Sequence, residues 1–554
     1  MSAQIGTLKN TVIPPSPTSG IFRQYVGLSP DLSTGAASFD LPLFEISIGA
    51  YTLPLTIKYH SNGIKVDDSP YPLGYGWLLT PGLRVTRTIL GRSDFNYEKD
   101  IRQDEDSFDY LKKTIYTEEH GHHYIPDSSL VDTQYDIFTI HIPSGSFSFV
   151  VEDVNGVFSA KSTNNNLKIS FSSNQNCITI IDEKGITYYF GDDPESYAVT
   201  PYREYVNNNH GWPTAWLLRK IELPGGKEIN FTWVSYTHNG ISFGRTVGSD
   251  VIQDWKNSLW GSGTDYNPTY HSAQDLGILT DDYEYPYESH LSSITFPSGA
   301  ISFSYDGANN PLIRRVIVTN NLGTIVKDVT LTYGSGLTAG LLQDVRISDL
   351  GKYTFTYDSH HFSNYYAQDW WGYCNGKPNR SLNPQMWINV YNSQYSSQTI
   401  SNSYGQADRS VDTTYVKANI LTRIDYPTGG FSQFEYEPHS FDAVTSTSPL
   451  LDQSRKRSLT MGAGVRVRKI ISHSPQDNIT IIRRYVYGDN GDGKANVVFA
   501  PTEETFIDEY YAYNFFPETV VPSRPERGNN FRLLYINPHS NYLQYNISAP
   551  HPMV

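Results

Sequence analysis

The densest group of potential metal ligands is His120-Gly121-His122-His123, which follows Glu118 and Glu119. Imidazoles and carboxylates at this density could hold Zn²⁺ or Ni²⁺ weakly. The group sits in a polar stretch between strand-like segments and lacks the i, i+4 helical spacing of a zinc hydrolase. It therefore reads as an exposed loop, and no metal is expected. Asp489-Asn490-Gly491-Asp492-Gly493 resembles a calcium loop at first sight. Such a loop needs oxygen ligands at alternate positions and a bidentate acid to close it. Here glycine takes the alternate positions, and strand-like Arg484–Tyr487 and Ala495–Phe499 flank it, so a long hairpin turn is expected. Asp104-Glu105-Asp106 and Asp281-Asp282-Tyr283-Glu284 bring carboxylates together. A glycoside hydrolase would need two such groups at a set spatial separation, which sequence does not supply; solvated loops are expected. No Gly-x-Ser-x-Gly elbow, P-loop or dinucleotide fingerprint occurs. The expectation is a protein that is not an enzyme, with no catalytic residues, metal or cofactor.

Five aromatics have a different use open to them. Trp255, Trp260, Trp370, Trp371 and Tyr373 lie in two stretches rich in polar residues. Exposed rings of this kind stack on pyranose faces, and a surface glycan or other cell-surface ligand is the alternative partner. The other reading is that the rings anchor inserted loops to a sheet. Cys177 and Cys374 fit no zinc-finger spacing; one disulfide between them is open, and compartment cannot be read from them.

What must position these residues is a sheet protein. Charged residues are only 18% of the chain, whereas 42 Tyr and 25 Phe bring aromatics to 14%. Tyr and Phe suit a pleated surface that is half buried and half wet. The net charge of −15 and the absence of a dense Lys/Arg stripe exclude a free nucleic-acid binder. Arg455–Lys456–Arg457 and Arg466–Arg468–Lys469 read as solvated strand edges or turns. No apolar run approaches the roughly 20 residues of a bilayer span. Met1-Ser2-Ala3-Gln4-Ile5-Gly6 lacks the basic and apolar regions of a signal peptide, so an exported form would be mature or truncated. Helical periodicity is hard to find; Asp109–Glu119 and Glu503–Tyr513 are the best candidates, and neither has a clean apolar stripe.

Strand alternation is everywhere, and one unit recurs. Leu217 and Ile221 lead to Pro224 and Gly226, then Ile229, Phe231 and Trp233. Ile294 leads to Pro297 and Gly299, then Ile301, Phe303, Tyr305 and Asp306. Ile424 leads to Pro427, Gly429 and Gly430, then Phe434 and Tyr436. Weaker copies sit at Pro143–Phe149 and Gly351–Asp358. Proline presets φ, glycine lets the chain reverse, and period-two aromatics put every ring on one face. A hairpin with one apolar face cannot stand alone and must join its neighbours. The fold class expected is all-β: a curved antiparallel sheet of consecutive hairpins, with very little helix and with insertions near 237–288 and 360–415.

Aromatic hairpins ending in Tyr-Asp resemble the YD repeats of RHS proteins, toxin-complex C components and teneurins. Several passages resemble RHS proteins of Bacteroidetes in particular: Leu41-Pro42-Leu43-Phe44-Glu45-Ile46, Leu53-Pro54-Leu55 and Tyr59-His60-Ser61-Asn62-Gly63-Ile64-Lys65-Val66. Leu73-Gly74-Tyr75-Gly76-Trp77-Leu78-Leu79, Gly82, Thr86-Arg87 and Asp136-Ile137-Phe138 follow in order. Trp371-Gly372-Tyr373-Cys374-Asn375-Gly376-Lys377, Tyr426-Pro427-Thr428-Gly429-Gly430 and Gly-Val-Arg-Val-Arg-Lys-Ile at 464–470 complete the set. These passages span roughly residues 14–490, and their shared order carries the resemblance. The dense Tyr-Asp repeats and the Asp-Pro-containing self-cleavage region of such proteins are not visible. The only Asp-Pro, Asp193-Pro194, lacks that context, so autoproteolysis is not expected.

The resemblance implies the N-terminal part of a shell that encloses or presents a C-terminal toxin or adhesive module. It implies a secreted or cell-surface location and a downstream shell and cargo segment, of the same or an adjacent polypeptide, as partner. The expected organisation is an N-terminal β region with an extended leader at 1–95 and a β-rich region at 96–200. The hairpin sheet would occupy 201–470, and C-terminal hairpins of a truncated shell 471–554.

Overall fold

The computed structural model describes residues 30–31, 34–70, 72–88, 135–142, 145–154, 157–162, 166–172, 176–192, 201–205, 213–237, 246–247, 250–258, 269–271, 280–281, 287–307, 311–362, 364–391, 399–455, 457–476, 478–488, 491–495, 502–503, 507–515 and 528–536. Among the described residues the regular elements are strands, apart from short 3-10 turns such as Gly336–Thr338 and Tyr415–Lys417. Near the N-terminus, β1 (Ala37–Ile48), β2 (Tyr51–Ser61) and β3 (Trp77–Thr80) form a separate antiparallel sheet.

A second run supplies β4 (Arg84–Thr88), β5 (Ile137–Ile142), β6 (Gly145–Val154) and β7 (Val157–Ser162). It continues through β8 (Lys168–Phe171), β9 (Cys177–Ile181), β10 (Thr187–Gly191), β11 (Arg203–Tyr205) and β12 (Pro213–Glu222). Strand β12 pairs with β10 and β11, and also with β4, so this run doubles back on itself. The hairpin array proper starts at β12 and β13 (Glu228–Thr237). An insertion then holds β14 (Thr246–Val247), β15 (Asp250–Ser258), β16 (Thr269–His271) and β17 (Thr280–Asp281).

The array resumes with β18 (Tyr287–Phe296), β19 (Gly299–Tyr305), β20 (Ile313–Asn320), β21 (Ile325–Tyr333), β22 (Leu342–Ile347) and β23 (Gly351–Tyr357). A second insertion contains the hairpin of β24 (Met386–Tyr391) and β25 (Thr399–Tyr404). Beyond it come β26 (Leu421–Asp425), β27 (Phe431–Val444), β28 (Leu459–Ser474) and β29 (Ile479–Arg484). From β13 to β29 each array strand pairs antiparallel with the next one in the array. The short β30 (Lys494–Ala495) lies parallel to β27, while β31 (Ile507–Phe515) and β32 (Gly528–Ile536) pair with each other and with β15.

All three strong Pro-x-Gly passages are hairpins in this sheet. Phe296 pairs with Gly299 across the two-residue Pro297-Ser298 turn, and Glu222 and Asp425 pair with Glu228 and Phe431 across slightly longer ones. Ile229, Phe231 and Trp233 are all buried, as are Ile301 and Phe303, and Tyr353 and Phe355. The opposite face carries crossed ion pairs such as Arg315 to Asp328 and Arg468 to Glu435. Of the two helix candidates, Asp109–Glu119 lies outside the described residues, and 507–513 is strand. Its run of β-formers, Ile507 with Tyr510, Tyr511 and Tyr513, outweighs the helical spacing.

Each hairpin is also stitched to itself by one ring. Trp233 Nε1 donates to the Leu218 carbonyl at 2.9 Å, and the Tyr305 hydroxyl to that of Leu291 at 2.7 Å. Tyr333 donates to Ile313 (3.0 Å), Tyr357 to Leu342 (2.7 Å), Tyr436 to Leu421 (2.5 Å) and Tyr487 to Val467 (2.6 Å). Every donor lies on or just beyond the second strand of a hairpin, and every acceptor belongs to the first strand. In the first five hairpins the pairing with the following strand shifts register immediately before that aromatic, as between Ser304 and Tyr305. A bulge bends the strand and increases its twist. It swings the ring back across its own hairpin, where a buried hydroxyl must find an acceptor.

The inner face of the array is covered by the chain's own N-terminal sheet. Phe39 of β1 touches Phe355 (6.2 Å between ring centroids), Tyr426 (6.4 Å) and Tyr353 (6.5 Å). Trp77 of β3 donates to the Tyr357 hydroxyl at 2.8 Å, and the Leu421 amide donates to Tyr59 of β2 at 3.0 Å. One continuous apolar core holds both layers.

Candidate functional site

The chemistry-bearing residues that the structure gathers most tightly lie at the root of the second insertion. Asp369 begins a tight turn there. Its Oδ1 accepts the amides of Trp371 (2.8 Å) and Tyr373 (3.0 Å), and its carbonyl accepts Gly372 N–H (3.2 Å). An aspartate that accepts main-chain amides two and four residues on fixes the chain reversal. The turn sends its three rings in different directions. Trp370 is 1% exposed and packs with Met386, Ile388, Tyr404 and Leu451 in a second, smaller core. Tyr373 is 3% exposed and enters the main core, with the Lys65 ammonium 5.7 Å from its ring centroid. Trp371 is half-buried, edge-on to Phe441 at 6.1 Å. It lies so close over Gly462 that a Cβ there would sit 1.9 Å from the ring.

Polar side chains lace the insertion from within. Asn375 Nδ2 donates to the carbonyls of Gln368 (3.1 Å), Asp408 (2.9 Å) and Ser410 (3.1 Å). Asn379 donates to Tyr366 (3.1 Å) and Asp408 (2.9 Å), and accepts the Asp408 amide (2.9 Å). Arg409, 2% exposed, donates to the carbonyls of Asp369 (2.9 Å) and Leu382 (2.7 Å). Burial pushes the Asp369 carboxyl up to about 7, against the pull of the two amides and of Arg409, and pushes Arg409 down to about 10. Burial also raises the Cys374 thiol. A thiol held protonated is a poor nucleophile, so what this cluster does is hold main chain.

Among the described candidate rings, Trp370, Trp371 and Tyr373 are not assembled into one surface. Trp370 and Tyr373 offer no open face to a sugar, because their rings are enclosed in two different cores. Trp255 lies on β15, and Trp260 is outside the described residues. Also outside them are Asp104–Asp106, the cluster from Glu118 to His123, Asp193-Pro194, Asp282–Glu284, Asp489 and Asn490. Asp281 lies on β17, paired with Thr246. Gly491–Gly493 is a tight turn in which Asp492 accepts the Lys494 amide (2.9 Å) and Gly493 N–H bonds to Tyr487 O (2.9 Å). The disulfide left open by the sequence is not formed: Cys177 and Cys374 are buried apart, Cys177 on β9 and Cys374 in a small cluster with Val66 and Ala418. Nothing beyond Asp-x-x-Gly at 369–372 singles out Asp369 or Arg409 in the sequence, since their partners come from 27 to 40 positions away or through a local turn.

No protein-family model matches the chain, and no curated protein matches it. Solved structures do. The N-terminal domain of effector protein SpvB from Salmonella typhimurium strain LT2 is 13% identical, with a TM-score of 0.31, over 56% of this chain and 98% of that one. TcdB2-TccC3 is 13% identical with a TM-score of 0.35, over 82% of this chain and 22% of that one. The Tc holotoxin pore of Photorhabdus luminescens is 13% identical with a TM-score of 0.31, over 86% and 20%. This chain thus spans only about a fifth of the two toxin-complex chains. At such scores these likenesses do not place it in a family or assign it an activity. What they amount to is that the chain is similar, at low score, to an effector's N-terminal domain and to toxin-complex chains.

Proposed function

We propose that the chain is a non-catalytic structural wall, the N-terminal portion of a shell of the RHS/YD-repeat kind as found in Bacteroidetes. It acts outside the cell or at its surface, and its partner is a downstream shell and cargo segment of the same or an adjacent polypeptide. The observation that carries this reading is the repeated stitch: six successive hairpins, each closed by a ring donating across to its own first strand. Stitched hairpins make a continuous sheet whose rings are committed to holding its own main chain. Once completed by further strands, a wall of this kind would isolate a poorly folded passenger from solvent and proteases.

A second observation supports assembly with a further segment. Among the described residues β29 pairs only with β28, which leaves its other edge without a partner strand. Its inward positions Ile479, Ile481 and Arg483 are only half covered, whereas Ile470 and Ser474 beside them are buried. An unpaired strand edge of this composition is a template for another strand.

Limited proteolysis with mass-spectrometric identification tests the wall. The reading expects cuts in the insertions, with β12–β13 and β18–β28 persisting as one associated block. Rapid cleavage to small pieces throughout 200–440 would contradict it. Turnover on a broad polysaccharide panel would contradict the non-catalytic part.

A further inference from the structure

Three turns from distant parts of the chain converge at one end of the molecule. They are Ile48–Tyr51 between β1 and β2, Asp182–Ile186 between β9 and β10, and Leu223–Lys227 between β12 and β13. Between them lies a cavity of about 570 Å³. That is the size of a site for a small organic ligand, which is typically an apolar cleft with a few placed polar groups. Ile48, Ile186, Leu223 and Pro224 provide apolar wall.

The polar groups are arranged by depth. Tyr188, 1% exposed, donates its hydroxyl to Asp182 Oδ2 at 3.3 Å. The other oxygen of Asp182 is occupied by the amides of Lys184 (2.9 Å) and Ile186 (3.0 Å), so this carboxylate is committed to its own turn. The Tyr51 hydroxyl lies beside that of Tyr188 but makes no hydrogen bond of good geometry, and it is shut off from solvent. Burial pushes this phenol up to about 12, which keeps it a donor across the physiological range. At the mouth stand Lys184 and Lys227, both exposed and neither in an ion pair. Glu183, the next residue on that turn, does not line the cavity, and Glu228 is engaged by Lys220 at 2.9 Å. The cavity therefore presents two exposed cations at its mouth and apolar walls behind them, closed at depth by the enclosed phenols of Tyr51 and Tyr188.

We infer that this cavity binds a small organic anion. Its ring-sized apolar body would sit between the turns, over the enclosed phenols of Tyr51 and Tyr188, and its acid group at the mouth with Lys184 and Lys227. The inference stands apart from the scaffold reading, since it uses neither the array nor its edge.

Calorimetric titration of the full chain at low ionic strength tests it, with 6-hydroxy-2-naphthoate, 2-naphthoate and the uncharged 2-naphthol as probes. The expected result is one site per chain that prefers both acids to 2-naphthol. Lys184→Gln with Lys227→Gln weakens both acids about 3- to 10-fold, the scale of two exposed charge contacts. Tyr51→Phe, which removes a hydroxyl enclosed beside Tyr188, leaves the binding of both acids as it was. Ala50→Trp, at the mouth, blocks all three. Absence of binding by the wild type overturns the inference. So does binding that the lysine variant and Ala50→Trp, with unaltered unfolding midpoints, leave as it was.

Discussion

Tyr357 is the stitch on which two layers depend, and Tyr357→Phe measures that dependence. Its hydroxyl donates to the Leu342 carbonyl at 2.7 Å and accepts from the Trp77 indole at 2.8 Å. Leu342 is 0% exposed and Trp77 5%, so neither orphaned group can turn to water. Phenylalanine keeps the ring and its packing and removes one oxygen. A buried group left without its partner costs about 1–3 kcal/mol, so two such groups cost about 2–6 kcal/mol. Tyr333→Phe is the internal control. Tyr333 serves one acceptor, Ile313 O at 3.0 Å, and the Arg314 guanidinium 5.1 Å from its ring centroid remains in place. Its loss is about 1–2 kcal/mol. Urea titration followed by tryptophan fluorescence and far-ultraviolet dichroism gives both values, provided the denaturant slopes of the two variants agree. Burial holds the Tyr357 phenol well above its ordinary range, so the difference should be the same at pH 6 and pH 9. Equal destabilisation by the two variants, within about 0.5 kcal/mol, would refute the claim that this rung joins the N-terminal sheet to the array.

Two further outcomes are expected. The Asp369 carboxyl is raised to about 7 from an ordinary value of 3.8, so the folded chain holds a proton there that the unfolded chain has released. Its contribution is fully present below about pH 4 and is lost as pH rises through 7. Asp369→Asn keeps an acceptor for the Trp371 and Tyr373 amides, so its melting temperature should rise relative to wild type between pH 5 and pH 8. An equal offset at both pH values would rule out the burial argument. Gly464→Ala places a Cβ 2.3 Å from the Asn62 carbonyl at φ +83 and should cost about 2 kcal/mol or more. Protease should then cut faster around residues 62–66, and unchanged resistance there would count against a tight seam between β28 and the N-terminal segment.

The part of this fold that was legible is the part built from local rules. Pro224, Pro297 and Pro427 each mark a reversal, and the period-two aromatics after them mark the buried face, because both signals act within about ten residues. The bulge before Tyr305 or Tyr357 was not legible, since it is a mismatch with the next strand and that strand's register is not written locally. Nor was the covering of the array by β1–β3. Phe39 and Tyr353 meet across more than 300 positions, and alternation in β1 says only that one of its faces is apolar. The aromatics at 370–373 invited a surface reading because they sit among polar residues. Those polar residues, Asp369, Asn375 and Asn379, instead point inward to satisfy the main chain of the insertion, which lets Trp370 and Tyr373 be enclosed. The Trp370–Tyr373 stretch shows that a polar neighbourhood in sequence is not an exposed one in space.

The same stitch that stiffens the sheet also bears on where room for a passenger could lie. Bulges at successive hairpins, all placed before the inward ring, add twist of one hand at each step, and a sheet that accumulates such twist bends around the face its rings occupy. In this chain that inner face is filled: Phe39, Tyr59 and Trp77 of the N-terminal sheet meet Phe355, Tyr357 and Leu421 of the array with aromatic contacts and hydrogen bonds. A wall plugged by its own first strands has no lumen at that point. On the scaffold reading, then, this segment is a filled part of the wall, and β29, which among the described residues pairs on one side only, is an edge where the inward side chains are still half uncovered. Removing the plug by deleting residues 37–80 should accordingly expose array aromatics and bind a hydrophobic dye. A deletion variant that stays folded, monomeric and dye-free would mean the array closes on itself without help, and the plug would lose its structural meaning.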